Sequence, residues 1–413
     1  MKILSIATVS GLLAFLSTST SIAAPVSLSK EAIEAATFMD WQSRQMDAQA
    51  VAASAKSDPT LPEAQSLPAG ETPAVVPPGD HRAADAAADG VDTAAPPVVE
   101  VTGEPGMAVE TPSFSTDIPD EAGLENADQQ VAPDPFLIRI QVLLGRTHAS
   151  PGVIDGFFGD NTRKAVRAYE MMRGLPVDGE PDVDLWTVLA VDEGEAMQTY
   201  AITAEDVAAR YVEAIPEDYG QRAEMEWLGY HDAAEMLAEK FHMDENLLRA
   251  LNPGADFSKA GTTILVADPG KAPTTKVARI VVDKTAGRLV AYDHDGEIVL
   301  ANPATIGSTA TPSPSGTMKV NALASDPTYS YNPKINFQQG KNAKPLTLPP
   351  GPNGPVGSMW IDLSKPSYGI HGTAEPSKIG KTNSNGCVRL TNWDAEALAK
   401  LVEPGQTVVE FTG

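Results

Sequence analysis

Residues 47–133 cannot form a hydrophobic core, and this limits where the folded parts of the chain can lie. Ala, Pro, Asp and Glu dominate the stretch, which has almost no aromatic side chains and only two basic ones, Lys56 and Arg82. Such a composition buries too little apolar surface to offset the conformational entropy lost on ordering. We therefore predict a disordered acidic linker between a short N-terminal part and a series of domains.

The overall charge excludes one class of partner. The chain has 413 residues, which favours several domains over one, and a formal net charge of −25. Because a nucleic-acid-binding surface needs Lys and Arg to neutralise phosphates, this charge argues against a nucleic-acid partner. Acidic and basic residues nearly balance from residue 275 onward, so the acidity is mainly a property of the linker.

The N-terminal residues predict a signal peptide followed by a short helix. Met1-Lys2 begin the chain, an apolar run extends to Leu16, and small residues lead to Ala23. This is the pattern of a secretory signal peptide, so we predict that residues 1–23 are removed and that the protein is periplasmic. The apolar run is too short to cross a bilayer, and no transmembrane segment is expected after cleavage. Apolar residues at helical spacing predict a short helix over residues 24–46.

From residue 275 to the C-terminus the pattern is that of a β domain. Short β-branched runs alternate with turn-forming residues, which predicts a sandwich-like or barrel-like sheet. The predicted strands cover residues 279–283, 288–292, 297–300, 316–320, 358–361, 368–371 and 407–411. A stretch rich in Gly, Pro and Asn over residues 326–357 predicts a loop or lid. A helix is expected over residues 393–402.

Cys387, the only cysteine of the chain, is the candidate nucleophile. Exported domains normally pair their cysteines in disulfides, and an unpaired thiol in an oxidising compartment is at risk of oxidation. His371 precedes Cys387 by 16 residues, and the polar loop between them can fold back so that the imidazole meets the thiol. A neighbouring His lowers the pKa of a thiol and so generates the reactive thiolate. A buried structural thiol and a satisfied strand-end histidine are the alternatives at this point.

The residues next to Cys387 indicate the rest of a site. The backbone N–H groups around Gly386 and Cys387 are candidate oxyanion donors, because glycine permits a tight turn and close approach of a substrate carbonyl. Arg389 offers a bidentate grip on a carboxylate. The chain shows no glycine-rich phosphate loop and no metal-ligand spacing, so we expect neither a metal nor a cofactor. The other histidines, which lie in separate segments, are His81, His148, His231, His242 and His294.

Residues 134–195 resemble the small three-helix peptidoglycan-binding domain of cell-wall hydrolases. An apolar-Asp-Gly element occurs at residues 154–156 and again at 177–179, and each time it leads into an amphipathic helix. The resemblance implies a small α-helical domain that binds the glycan and peptide of peptidoglycan. A helical spacer without a ligand is the alternative.

Residues 200–270 are similar to the later part of a LysM wall-binding module. Two helical stretches, the second ending in Asn252-Pro253, are followed by a strand that begins near Gly261. The opening strand of such a module is not evident, because residues 201–222 predict further helix. The interpretation is an α/β LysM-like segment or, equally, a connecting helical domain without a ligand.

Residues 275–413 resemble the L,D-transpeptidase catalytic domain. The signature of that family is a strand ending in His-Gly-Thr, followed by Ser-x-Gly-Cys-(Val/Ile)-Arg-(Leu/Met)-x-Asn. In this chain His371-Gly372-Thr373 and the run from Ser384 to Asn392 match it. The resemblance implies a multidomain protein in which a mainly-β catalytic domain of the L,D-transpeptidase fold follows the two wall-binding segments.

The resemblance also implies acyl transfer by covalent catalysis. The Cys387 thiolate would attack the carbonyl of the L-centre of diaminopimelate at stem position three, D-alanine would leave, and a stem amine would resolve the thioester as a 3→3 cross-link. His371 would accept the proton of the thiol and later that of the acceptor amine. We expect a backbone carbonyl to orient its imidazole, since no acid lies nearby in the motif. Many family members have His or Arg where Asn385 stands, so that side chain is not expected to be essential. The implied catalytic residues are Cys387, His371 and Gly386, and the implied substrate-binding residues are Arg389, Ser384, Asn385, Gly372 and Thr373.

Three other outcomes stay open. The acyl acceptor could be a wall-attached protein instead of a second stem. Water could resolve the thioester, which would make the protein a peptidoglycan L,D-carboxypeptidase of the same fold. A non-catalytic wall-binding structural protein is the third, and the matched His, Cys and Arg positions argue against it.

Overall fold

The structure is a computed structural model that describes residues 28–56, 132–191, 194–308 and 311–413. Contacts divide the chain into two units, Met1–Val51 with Val131–Gly413 and, separately, Ala52–Gln130. The predicted signal peptide and residues 57–131 of the predicted linker lie outside the described residues.

Two helices precede the linker. They are α1 (Lys30–Ala35) and α2 (Phe38–Lys56). Thr37 separates them and caps the second, because its side-chain oxygen accepts a hydrogen bond from the N–H of Asp40 at 3.3 Å. The sequence predicted one helix that ends at residue 46 and a disordered linker from residue 47. That boundary is wrong, because the second helix continues to Lys56 through an alanine-rich stretch of high helix propensity.

The three-helix segment, residues 135–189, follows the linker. Its helices are α3 (Pro135–Arg146), α4 (Asp160–Arg173) and α5 (Val183–Leu189). Buried Gln141 holds the first apolar-Asp-Gly turn, because its side-chain oxygen accepts the N–H groups of Asp155 and Gly156 at 3.1 and 2.8 Å. Gly156 has φ +78°, which glycine adopts without strain. The predicted turn and helix pattern is confirmed.

The middle segment, residues 197–267, pairs its two ends in a small sheet. Its elements are β1 (Met197–Ala201), α6 (Ala204–Ala208), α7 (Tyr219–Ala223), α8 (Ala233–Lys240), α9 (Glu245–Leu251) and β2 (Thr263–Ala267). Strands β1 and β2 are antiparallel, with Met197 opposite Ala267. The prediction of continuous helix over 201–222 is wrong: a strand opens the segment and only two short helices follow. The residues of β1 are not β-branched apart from Thr199, so their strand propensity is weak.

The C-terminal domain contains one mixed sheet of eight strands and a two-stranded hairpin. Its elements are β3 (Arg279–Asp283), β4 (Arg288–Tyr292), β5 (Ile298–Pro303), β6 (Gly316–Ser325), β7 (Tyr329–Tyr331), β8 (Leu346–Leu348), β9 (Met359–Leu363), β10 (Gly369–His371), β11 (Val388–Arg389), α10 (Asn392–Ala399) and β12 (Val408–Thr412). The sheet order is β11-β10-β9-β6-β12-β3-β4-β5. Each of the seven predicted strands is present, with ends that differ by a few residues.

The two edges of the large sheet approach each other. Residues just beyond β5 form isolated bridges with the other edge, Thr305 with Arg389 and Gly307 with Ser384. The sheet therefore curls in a barrel-like way, as the sequence predicted. Helix α10 packs on its inner face and is capped by Thr391, whose hydroxyl accepts the N–H of Asp394 at 3.2 Å. The helix ends at Ala399, three residues before the predicted end.

The lid loop, residues 326–357, carries the β7–β8 hairpin. Its Tyr331 and Leu348 are buried together with Leu228 of the middle segment, in a small hydrophobic cluster. The loop therefore packs against a segment outside the C-terminal domain. Within the part of the chain that the structure describes, no helix is both long and apolar enough to span a membrane.

Candidate active site

Cys387 lies at the end of a tight turn formed by residues 384–387. The hydroxyl of Ser384 donates a hydrogen bond to the carbonyl oxygen of Cys387 and accepts the N–H of Gly386 at 3.1 Å. Gly386 has φ +108°, and a Cβ atom there would lie 3.0 Å from the Tyr368 ring. The turn thus depends on a glycine at 386 and a hydroxyl at 384.

The chain that follows β5 anchors this turn. The Ser384 N–H donates to the carbonyl of Ile306 at 3.1 Å. The hydroxyl of Thr311 donates to the Ser384 carbonyl at 2.9 Å, and that of Ser313 donates to the Gly386 carbonyl at 2.7 Å. The hydroxyls of Thr311 and Ser313 therefore fix the cysteine turn.

His371 and Cys387 lie on one face of the sheet. Strands β10 and β11 are parallel, with Ile370 opposite Val388, and both of those side chains are buried in the core. Because successive side chains alternate between faces, His371, Cys387 and Arg389 point to the opposite face. Strand rise and spacing put the Cα atoms of His371 and Cys387 about 8 Å apart, within reach of two side chains.

His371 is held by a backbone carbonyl, as predicted. Its Nδ1 lies 2.7 Å from the carbonyl oxygen of Gly372, which can only accept, so Nδ1 carries the proton and Nε2 is an acceptor. The imidazole stacks on Trp360 at 5.5 Å between ring centroids. Burial lowers the pKa of His371 to about 4; the Gly372 hydrogen bond opposes this shift and the charge of Arg389 adds to it. The imidazole is therefore neutral at pH 7.

The Cys387 thiol is hydrogen-bonded to the loop that precedes β10. Its sulfur donates to the carbonyl oxygen of Ser367 at 3.6 Å, and among the described residues no hydrogen bond joins it to the imidazole. Burial raises the pKa of the thiol, while the backbone of Gly369 and the charge of Arg389 oppose that shift. The resting pair is therefore a thiol and a neutral imidazole that share no hydrogen bond among the described residues.

Arg389 is available to a ligand. Its side chain is half-buried, and within the described parts of the chain its guanidinium has no hydrogen bond or salt bridge. Its positive charge influences the pKa values of both His371 and Cys387, so it lies in their neighbourhood. An unpaired guanidinium beside a candidate nucleophile suits a substrate carboxylate.

Two predicted substrate-binding residues have structural contacts in this state. The N–H of Thr373 donates to Oδ1 of Asn392 at 3.1 Å. A Cβ atom on Gly372 would lie 2.1 Å from that same oxygen, so only glycine fits. Asn385 is exposed, and its side chain makes no hydrogen bond to any other described residue.

Asn392, which ends the matched family signature, is a junction between three parts of the chain. It is 2% exposed. Its Oδ1 accepts the N–H groups of Ser358 and Thr373, both at 3.1 Å. Its Nδ2 donates to the carbonyl of Pro352 at 3.2 Å and to the Glu239 carboxyl at 2.9 Å. One side chain thus joins the His-Gly-Thr turn, the lid loop and the middle segment.

An aromatic wall, formed by Tyr219, Tyr329 and Tyr331, lies where the middle segment meets the lid loop. The ring of Tyr219 lies 6.2 Å from that of Tyr329 and 5.2 Å from that of Tyr331. Burial raises the pKa of Tyr329, and the charges of Tyr219 and Cys387 add to that shift, so the phenol lies within electrostatic range of the thiol. Sequence reasoning missed the wall, because Tyr219 belongs to another segment and no motif marks it.

The described residues contain no group of three or more His, Cys, Asp or Glu side chains that could hold a metal ion. The N–H of Cys387 has no hydrogen-bond partner among the described residues.

Two family models match the sequence. The YkuD model, described as the L,D-transpeptidase catalytic domain, matches residues 277–410. A second model, described as "Putative peptidoglycan binding domain", matches residues 135–189 and coincides with the three-helix segment.

Similar proteins carry the same catalytic name. "Putative L,D-transpeptidase YkuD" of Bacillus licheniformis is 33% identical over 180 residues, which are 43% of this chain and 92% of that protein. "Probable L,D-transpeptidase YbiS" of Escherichia coli is 31% identical over 182 residues, 43% of this chain and 59% of that protein. Among solved structures, the ertapenem-acylated catalytic domain of the E. faecium L,D-transpeptidase has 22% identity and a TM-score of 0.26, covering 33% of this chain and 98% of that one. Since the chain covers nearly all of a relative at 33% identity, it belongs to the YkuD family of L,D-transpeptidases.

Proposed function

We propose that this L,D-transpeptidase is exported to the periplasm and forms 3→3 cross-links in peptidoglycan through a thioester on Cys387. The observation that carries the proposal is the placement of Cys387, His371 and Arg389 on one face at the edge of the sheet. The cysteine there ends a turn whose backbone is fixed by side-chain hydroxyls. A nucleophile, a base and a carboxylate ligand are thus combined in one place.

In the first half-reaction the Cys387 sulfur attacks the carbonyl carbon of the L-centre of diaminopimelate in a donor stem. Nε2 of His371 accepts the thiol proton after the cysteine side chain rotates towards it. The tetrahedral intermediate collapses with cleavage of the C–N bond to D-alanine. His371 returns the proton to the departing amine, which leaves a neutral imidazole and a thioester.

The developing oxyanion needs donors that are not already bonded. The prediction that Gly386 supplies its N–H has to be revised, because that N–H donates to the Ser384 hydroxyl. The N–H of Cys387 is therefore the candidate donor. Gly386 contributes through its backbone conformation, which places the Cys387 N–H at the end of the turn.

In the second half-reaction an amine of an acceptor stem attacks the thioester. His371 accepts the amine proton and transfers it to the departing sulfur, so the thiol is restored and the new amide is the cross-link. Arg389 binds a stem carboxylate during both steps. Ser384, Gly372 and Thr373 position the two loops that carry the nucleophile and the base, and Asn385 faces the solvent side where an acceptor stem would enter.

The segments that precede the catalytic domain would hold the enzyme on the wall. The three-helix segment matches a family described by peptidoglycan binding. The middle segment has the order strand, helices, strand, with its two strands antiparallel, and this supports a LysM-like module. We include glycan binding by the middle segment in the proposal on that basis.

Analysis of the reaction products tests the proposed function. The full-length mature chain is incubated with a disaccharide tetrapeptide, and the products are separated and sequenced by mass spectrometry. We expect 3→3 dimers and free D-alanine from the wild type, and neither from Cys387→Ser. The exposed neighbour Asn383→Ala serves as the matched control and should behave as the wild type. Tripeptide monomers without dimers would assign water as the acceptor and the carboxypeptidase activity instead.

A further inference from the structure

A groove of about 590 Å³ lies between the three-helix segment and the catalytic domain. We call it the basic groove after the five cationic side chains in its lining. They are Arg163, Lys164 and Arg167 of α4 and Lys284 and Arg288 of the β3–β4 hairpin. Among the described residues that line it, Asp160 has the only acidic side chain. This positive charge contrasts with the formal net charge of −25 for the whole chain.

Lys164 connects the two walls of the basic groove. Its half-buried side chain extends from α4 to two glycines of the catalytic domain. A Cβ atom on Gly287 would lie 3.1 Å from Nζ of Lys164, and one on Gly380 would lie 3.2 Å from it. Asn161 fastens α4 to the loop that precedes the cysteine turn, because its Nδ2 donates to the carbonyl of Ile379 at 2.7 Å. The groove is thus built by contacts between the two segments.

Lys164 and Arg167 have no salt bridge within the part of the chain that the structure describes. The ammonium of Lys164 is 3.5 Å from the side-chain oxygen of Asn161, and Nε of Arg167 donates to the carbonyl of Asp178 at 3.2 Å. Burial lowers the pKa of Lys164, which shows that its charge is partly removed from water. A half-buried ammonium with one long hydrogen bond is stabilised by an anionic ligand.

The hairpin side of the groove adds two cations whose charge is not compensated at short range. Lys284 donates to a serine hydroxyl at 3.0 Å. Arg288 lies 3.8 Å from the Asp283 carboxylate, and its buried Nε has no hydrogen-bond partner among the described residues. Arg163 differs, because it pairs with acidic side chains at 2.8 and 3.3 Å. The groove therefore has a surplus of positive charge that these contacts do not neutralise.

The basic groove is separate from the candidate active site but adjoins the cysteine turn. Cys387, His371 and Arg389 are not among its lining residues, whereas Gly307 is. Gly307 forms an isolated bridge with Ser384, the first residue of the turn. A ligand in the groove would therefore lie beside backbone that supports the nucleophile without occupying the nucleophile's own site.

We propose that the basic groove binds the carboxylates of a peptidoglycan stem peptide other than the stem that acylates Cys387. The choice of ligand rests on the proposed function, in which stem peptides are the substrate. A stem that ends in diaminopimelate has two carboxylates on that residue, one at the chain terminus and one at the D-centre, and each can pair with a lysine or arginine. The volume of the groove is in the range of small-ligand sites. A stem bound there would hold the wall against both segments.

Binding of a disaccharide tripeptide to the full-length mature chain, measured by isothermal titration calorimetry, tests the proposal. This probe lacks the D-alanine leaving group, so binding is measured without acylation of Cys387. A second probe is the same compound with both diaminopimelate carboxylates amidated. Lys164→Gln is compared with Arg173→Gln, which removes the same charge from α4 at an exposed position outside the groove.

We expect Lys164→Gln to raise the Kd for the free tripeptide about tenfold, because a hydrogen bond to a charged group is lost. Arg173→Gln should stay within about twofold of the wild type, since its charge is distant and screened. The amidated probe should bind the wild type more weakly, and Lys164→Gln should not weaken it further. Arg167→Gln, at an exposed position in the groove, should raise the Kd about threefold and serves if Lys164→Gln lowers the Tm.

Three results overturn the groove as a carboxylate site. They are no binding of the free tripeptide to the wild type, equal affinities of the wild type and both groove variants, and an equal loss in those variants on the free and the amidated probe. Each of them leaves the proposed function standing if the wild type still forms 3→3 dimers. Conversely, binding that depends on Lys164 in a wild type that forms no dimers would contradict the proposed function and not the groove.

Discussion

Asn392→Ala removes a buried side chain that makes four hydrogen bonds to three parts of the chain. The N–H groups of Ser358 and Thr373, the carbonyl of Pro352 and the carboxyl of Glu239 each lose a partner. An unsatisfied buried polar group costs about 1–3 kcal/mol, and part of that is recovered where water can enter. At about 1 kcal/mol for each group, we expect a loss of about 4 kcal/mol in the free energy of unfolding.

Thermal unfolding of the full chain measures this loss. For a domain of this size about 1 kcal/mol corresponds to about 2–4 °C, so the predicted fall in Tm is about 8–16 °C. Asn385→Ala is the matched control in the same motif, since its side chain is exposed and makes no hydrogen bond to a described residue. It should change stability by less than about 0.5 kcal/mol. Equal Tm values for the two variants would show that the hydrogen bonds of Asn392 do not stabilise the fold.

Three further results are expected from the same geometry. The rate of alkylation of Cys387 by iodoacetamide, followed by intact mass, should keep rising with pH to above pH 9, because burial raises the pKa of the thiol. A rate that reaches its plateau below pH 7 would instead indicate a preformed thiolate–imidazolium pair. Gly386→Ala should lower the free energy of unfolding, measured with urea, by about 1–3 kcal/mol, because φ is +108° at this position. It should also remove most of the acylation rate, and a wild-type rate would show that the turn does not depend on glycine. Burial raises the folded-state pKa of Glu239 to about 8 from the ordinary 4.5, so its contribution to stability is present below pH 4.5 and is lost as the pH rises through 8. Glu239→Gln should therefore flatten the dependence of Tm on pH over that range, and an unchanged slope would show that Glu239 is not the titrating group.

The sequence predicts much of the catalytic sheet, for local reasons. Runs such as Arg279–Asp283 and Arg288–Tyr292 are rich in apolar residues and are bounded by turn residues, and their observed bounds agree with the prediction. The histidine and cysteine motifs identify the site because their spacing and residue types are themselves chemical requirements. Both features are encoded within a few neighbouring residues.

The remaining features depend on contacts between distant residues. Nothing near Tyr219 indicates that its N–H will bond to Gln339, which is 120 positions away. The loss of Gly386 as an oxyanion donor follows from the orientation of one hydroxyl, and no pattern of residue types specifies that orientation. The strand β1 was missed because its pairing with β2, and not its own propensity, makes it a strand.

The intact mass of the protein after incubation with a carbapenem tests most directly whether Cys387 is the nucleophile, because the β-lactam carbonyl traps an acylating nucleophile. We expect one covalent adduct on the wild-type chain and none on Cys387→Ser. Arg389→Ala should form the adduct more slowly, since the carbapenem carboxylate loses its cationic partner. Absence of an adduct on the wild type, or an adduct that persists in Cys387→Ser, would contradict the assignment of Cys387 as the nucleophile.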